Sequence, residues 1–189
     1  MVTPDRKLLA AVERLARALR AARQQVATGH GLSLLGVTVL ETLDGGRAMR
    51  VGDLAAELDV SQPTASDALA VLERRRLVAR RRDPDDLRAT LVSLTTAGAD
   101  TLDVIVAELA PTMAAGTETS VDRGIALRVV LGEIARLQHA GVITVNRSCL
   151  TCHHYEAPDD GEPARCLLLD VALGDGDLRV DCPEHQPAS

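Results

Sequence analysis

The stretch VGDLAAELDVSQPTASDALAVLERRRLVARRRDPDDLRATLVSL, residues 51–94, decides the fold. Residues 51–58 read as a short helix with Leu54, Ala55 and Leu58 on one face. Asp59-Val60 is a turn. Ser61 or Gln62 then precedes Pro63, which suits the first helical position because the N–H it lacks has no intrahelical partner there. The helix that follows turns Ala65, Ala68, Leu69 and Leu72 inward and leaves Thr64, Ser66 and Asp67 on its opening turn. A short helix, a turn and a longer helix with small polar residues at its start make a helix-turn-helix over residues 51–76. Residues 77–82 and 89–94 are β-prone runs joined by Asp83-Pro84-Asp85-Asp86, a strong turn signal. They predict a wing, a two-stranded hairpin spanning residues 77–94.

The flanks are helical. Leu8, Val12, Leu15, Leu19, Ala22 and Val26 advance by alternating fours and threes, a narrow apolar seam on a helix over residues 5–27. So narrow a seam suits a helix partner, and a second copy of the chain is the expected one. Gly29-His30-Gly31 ends that helix, with His30 expected as a solvated turn residue. Ser33 caps the next helix, residues 34–43, and residues 48–50 form a short strand. Thr95 or Thr96 caps a long helix carrying Leu102, Ile105, Val106, Leu109 and Met113, which Pro111 should kink or end. A last helix covers residues 121–140.

Composition narrows the function classes. The 189 residues include no Phe or Trp and one tyrosine, Tyr155, so an aromatic platform for stacking single-stranded bases is excluded. The net charge of −6 is uneven. From Cys149 onward nine acids face two arginines, which leaves the rest of the chain at +1, and residues 73–88 carry seven arginines against four acids. The local field, not the total, steers a protein to phosphates. No run approaches the length of a membrane span, and the first residues interleave charged with apolar side chains, so the chain reads as cytoplasmic.

Residues 54–102 resemble the MarR family of winged-helix transcription regulators. The matching residues are Leu54-Ala55, Ser61-Gln62-Pro63-Thr64-Ala65-Ser66, Leu72-Glu73, Leu77-Val78, Arg80, Asp83-Pro84-x-Asp86-x-Arg88 and Leu94-Thr95-x-x-Gly98. With the flanking helices the resemblance covers residues 5–140. It implies a homodimer joined through the terminal helices, binding double-stranded DNA at a pseudo-palindromic operator. It also implies that Asp86 orients the wing and Arg88 reaches the minor groove. The candidate DNA contacts are Gln62, Thr64, Ser66 and Asp67 on the recognition helix, and Arg80, Arg82 and Arg88 on the wing. Two departures stand out. Leu87 occupies a position where the family often has another arginine, and Asp67 is an acid where a basic or neutral residue is commoner. The family's peroxide sensors use a cysteine in the N-terminal half. None precedes Cys149 here, and aromatic walls for phenolic effectors are also absent, so any small-molecule effector is unspecified.

All four cysteines fall in the last 41 residues, as Cys149-x-x-Cys152, Cys166 and Cys182-x-x-His185. Clustered thiols in a reducing compartment bind metal more often than they form disulfides. So small and acidic a tail needs such a tie to fold. Zinc on Cys149, Cys152, Cys182 and His185, or with Cys166 in place of His185, is one chemistry; an iron–sulfur cluster on all four cysteines is another. Zinc is slightly ahead. Cys149 to His153 also match the covalent haem-attachment pattern, which is discounted without an export signal.

The expected organisation is mainly α with a small β wing. A winged-helix DNA-binding and dimerisation domain over residues 1–145 precedes a metal-tied Cys-rich segment over residues 146–189. The expected function is DNA-bound transcription regulation, not enzymatic, responsive to metal or redox state through the tail. The rival is a small cytosolic redox or metal-transfer protein built on Cys149-x-x-Cys152, for which a surrounding βαβ pattern is missing.

Overall fold

The computed structural model describes residues 4–84, 86, 89–113, 119–159 and 162–188. Packing divides the chain into two compact units, residues 1–115 and 116–189.

The first unit contains α1 (Pro4–Gly29), α2 (Leu34–Thr42), β1 (Ala48–Arg50), α3 (Val51–Glu57), α4 (Gln62–Arg74), β2 (Val78–Arg82), β3 (Thr90–Leu94) and α5 (Thr96–Met113). Its core is aliphatic: Val37, Leu40, Leu43, Leu54, Leu69, Leu72, Val92 and Ile105 are wholly buried. Each such side chain contributes about 1.5–3 kcal/mol on leaving water. β3 is the central strand of an antiparallel sheet, with β1 on one side and β2 on the other. Val92 lies opposite Met49 on one neighbour and Arg80 on the other.

Helix ends are set by local chemistry. Ser33 accepts the Gly36 N–H at 3.0 Å and starts α2. Helices α1, α3 and α4 stop in the same way. A residue with positive φ (Gly31, Asp59, Arg76) turns the chain, and the next N–H closes back five residues, Leu32 to Ala27, Val60 to Ala55 and Leu77 to Leu72. Of the two candidate caps for α5, Thr95 takes the role. Its Oγ1 accepts the Gly98 N–H at 3.0 Å and lies 2.7 Å from the Arg76 carbonyl, and its own N–H donates to the Leu77 carbonyl at 3.0 Å. Pro111 does not end α5, which continues to Met113. It sits in the last turn, where the helix has little left to lose.

The second unit is α6 (Ser120–His139) with the Cys-rich segment. A capping box starts α6: Thr119 Oγ1 accepts the Asp122 N–H at 3.1 Å, and Asp122 accepts the Thr119 N–H at 3.1 Å. The segment contributes β4 (Tyr155–Glu156), β5 (Ala164–Cys166) and β6 (Val171–Leu173), paired antiparallel in that order. It also has two 3-10 turns, Cys149–Thr151 and Asp175–Asp177. The second turn lies against α6, where Gly124 permits close approach: a Cβ there would stand 2.9 Å from the Gly176 nitrogen. Arg128 Nε fixes the same turn through Asp175 Oδ1 at 2.9 Å. The sequence places the boundary at 145/146. The packing places it at 115/116, because the last long helix gives the Cys-rich segment its apolar support. The strand expected to begin at Cys166 ends there, and residues 167–170 form a turn.

Candidate nucleic-acid interface and a four-cysteine cavity

Ser61 is the N-cap of α4, with Gln62 first and Pro63 second in the helix. Ser61 Oγ accepts the Thr64 N–H at 3.3 Å and lies 2.7 Å from Thr64 Oγ1. The Thr64 hydroxyl is thereby oriented by the cap, while Gln62, Thr64 and Asp67 face solvent and Ser66 is half-buried. On the opposite face Ala65, Leu69 and Leu72 are buried, which locks the helix in the unit. Free N–H groups and the positive end of the helix dipole make this terminus attractive to phosphate.

The wing rises beside it. Residues 79–82 are all exposed, and Arg80, Arg81 and Arg82 stand in sequence on β2. Arg80 Nε donates to Glu73 Oε1 at 2.7 Å, so this arginine is tethered to α4. Arg88, Leu87 and Asp85 lie outside the described residues. A cleft of about 350 Å³ joins the two parts, and its walls include Gln62, Ser66, Arg80 and Arg50. Arg50 is a site residue that the sequence did not mark. Its only signal is a basic residue immediately before the helix-turn-helix. Its guanidinium donates to Asp83 Oδ2 from Nε at 2.9 Å and from Nη2 at 2.7 Å, while Asp86 Oδ2 stands 3.8 Å away. The bond to Asp83 and that residue's charge raise the Arg50 pKa above its ordinary value. Asp83 is almost wholly buried. The resemblance assigns wing orientation to Asp86; the shorter bonds run from Arg50 to Asp83.

In the second unit the chain folds the cysteines together by backbone bonds. Each x-x spacing makes a tight turn, with Cys152 N–H to Cys149 O at 3.0 Å and His185 N–H to Cys182 O at 3.1 Å. The turns are stitched by Cys149 N–H to Arg179 O and Cys182 N–H to Arg147 O, both 3.1 Å. Cys166 arrives on β5, opposite Tyr155. Cys149, Cys152, Cys166 and Cys182 all line one cavity of about 390 Å³. Burial pushes the Cys149 thiol up, against a lowering bond from the Arg179 N–H, and the other three cysteines push it further up. Burial also raises the Tyr155 phenol, another wall of the cavity. His185 is not on that wall: its Nε2 lies 3.1 Å from both the hydroxyl and the carbonyl oxygen of Thr151. Among the described residues no three Cys, His, Asp or Glu groups converge closely enough to hold a single metal ion.

His30, expected in solvent, has Nε2 3.2 Å from Glu108 Oε1 and ties the end of α1 to α5. No described helix is long and apolar enough to cross a membrane.

Residues 30–89 match the MarR family model, from the end of α1 to the start of β3. The structure is similar to several solved winged-helix proteins. A MarR family transcription regulator shares 22% identity at a TM-score of 0.61, covering 74% of this chain and 93% of its own. Wild-type MarR from E. coli in its apo form shares 19% at 0.54, covering 71% and 97%. AbsC, a MarR family transcriptional regulator from Streptomyces coelicolor, shares 21% at 0.54, covering 74% and 98%. A search of the curated proteins gives no match. The fold is therefore the MarR winged-helix fold, mostly helical with a small antiparallel wing. At least a quarter of the chain has no counterpart in any of these three structures.

Proposed function

We propose that the protein is a sequence-specific double-stranded DNA-binding transcription regulator that works as a homodimer on a pseudo-palindromic operator. The observation that carries this reading is the pairing of a capped, solvent-facing α4 terminus with the exposed arginines of β2 across one cleft. Gln62, Thr64, Ser66 and Asp67 read base edges in the major groove. Asp67 accepts from a cytosine amino group and repels phosphate. Arg80, Arg82 and Arg88 contact phosphates and the minor groove, and Arg50 holds the wing turn in place.

Dimerisation is supported by α1. Leu8, Leu9, Val12 and Leu15 are each about half exposed or more, an apolar stripe that the first unit leaves uncovered. A second copy offers the same narrow seam, as a coiled-coil contact requires. In the second unit α6 separately exposes Val121, Ile125, Val129 and Val130.

The cysteines of the second unit hold one metal centre. Four thiols on one wall and an acidic segment with few buried apolar residues support this reading. Metal occupancy then acts on the packing of α6.

Selection of bound fragments from a genomic library by the full chain, followed by anisotropy titrations across salt concentrations, tests the main reading. Tight binding to one sequence with a steep salt dependence is expected. Binding equally weak on every duplex contradicts it.

A further inference from the structure

We infer that the cavity walled by Cys149, Cys152, Cys166 and Cys182 is an iron–sulfur cluster site, each thiolate ligating iron of one polynuclear centre, and not a mononuclear zinc site. The inference deepens the metal-centre reading above and rests on it.

Three observations separate the two chemistries. The first is donor choice. The zinc set written by two x-x spacings needs His185, yet its Nε2 is engaged with Thr151 and the residue is absent from the cavity wall. The wall carries all four thiols instead, the ligand set of both common cluster types.

The second is spacing. Zn–S bonds of about 2.3 Å place four tetrahedral thiolates about 3.8 Å apart around one point. Among the described residues no three ligating groups meet so closely. The four thiols instead surround a void of about 390 Å³. A cluster is ligated in this way, because its thiolates bind different irons and the inorganic core fills the space between them.

The third is the surroundings. The Arg179 N–H donates to Cys149 Sγ at 3.2 Å, and Arg179 Nη1 stands 3.8 Å from Cys182 Sγ. Hydrogen bonds and a positive charge on ligand sulfurs offset the negative charge of a thiolate-bound cluster and tune its potential. Leu168, Leu169 and Val171 cover the other side of the cavity and limit water access. His154 is also on the wall, and its buried Nε2 has no hydrogen-bond partner among the described residues, so it is available to a sulfur atom.

The test is anaerobic thiolate exchange on the metal-free full chain, with a synthetic cluster carrying four small thiolate ligands. Each cysteine thiol replaces one external thiolate and passes its proton to the leaving thiol, so no oxidant or reductant is required. A parallel arm offers zinc chloride alone. Iron, acid-labile sulfide, zinc and the visible and Mössbauer spectra are measured after desalting. The expected result is retention of about two or four irons with equal sulfide per chain. His185→Ala should keep that content, and Cys166→Ser should lose half of it or more. One zinc per chain with no retained sulfide overturns the cluster and leaves the metal-centre reading standing. Retention of neither overturns both. DNA affinity enters none of these readouts, so the regulator reading is judged apart.

Discussion

Arg50, the last residue of β1, points two nitrogens at one oxygen of Asp83, at 2.9 and 2.7 Å, and so ties the edge strand of the sheet to the turn of the wing. Asp83 is 5% exposed, so its charge depends on this partner. The contact has no role in the core. It sets where the β2 arginines stand relative to the start of α4. Replacing the carboxylate, Asp83→Asn, should weaken operator binding while leaving the salt slope nearly unchanged, because no phosphate contact is removed. Arg82→Ala should weaken binding and also lower the salt slope by about one. Anisotropy titrations at several salt concentrations distinguish the two. Identical slopes for wild type and Arg82→Ala exclude Arg82 as a phosphate contact.

Gly98 is required by packing and not by its backbone angles. A Cβ at this position would stand 1.9 Å from the Leu77 carbonyl oxygen, the same oxygen that accepts the Thr95 N–H. The first turn of α5 and the chain leaving α4 therefore touch through backbone. Gly98→Ala must separate them, at the upper end of or beyond the roughly 1–3 kcal/mol typical of overpacking. Thr95→Val keeps the shape, removes the cap and should cost about 1 kcal/mol. Urea melts of both variants measure the difference, and a Gly98→Ala protein as stable as wild type contradicts the contact.

These two sites show what the sequence makes legible and what it does not. The winged helix was readable because its signals are local. Ser61 and Pro63 mark a helix start, Asp83-Pro84 marks a turn, and Leu69 and Leu72 fall on one face. Thr95 and Gly98 were visible as part of a resemblance, but their reason is a contact with Leu77, eighteen or more residues back. Arg50 was missed because its partner is thirty-three residues away. The grouping of α6 with the Cys-rich segment was hidden for the same reason, since nothing near Gly124 announces that Gly176 will lie against it. His185 matched a zinc spacing that counts residues along the chain. Its ring orientation depends on Thr151, which no spacing encodes.

Helix α1 carries its apolar seam into solvent, with Val12 52% and Leu15 48% exposed. If a second copy covers that stripe, a charge in the middle of it separates the pair. Val12→Asp should shift the full chain from dimer to monomer at micromolar concentration without lowering its helix content. DNA affinity should fall with it, because two half-sites are then no longer held together. Sedimentation velocity and circular dichroism on the same sample read both quantities. A dimer that survives Val12→Asp places the interface elsewhere.

The cap of α6 gives a pH dependence whose sign follows from its hydrogen bonds. The Asp122 carboxylate accepts from the Thr119 hydroxyl at 2.7 Å and from the Thr119 N–H at 3.1 Å. Both bonds favour the ionised form, the hydroxyl more, so its pKa falls below the ordinary 3.8 in the folded chain. A carboxylate with a lowered folded value binds fewer protons folded than unfolded in this range. Its stabilisation is complete above about 3.8 and disappears as the pH drops through the lowered folded value. Thr119→Val removes the hydroxyl and with it the larger cause. The wild-type chain should therefore lose more stability than Thr119→Val between pH 5 and pH 2, and their melting temperatures should converge at the acid end. Amide exchange at the first turn of α6, followed across the same range, should show protection falling with pH in the wild type and a flatter profile in the variant. Parallel profiles for the two proteins would falsify the assignment of that acid sensitivity to the capping box.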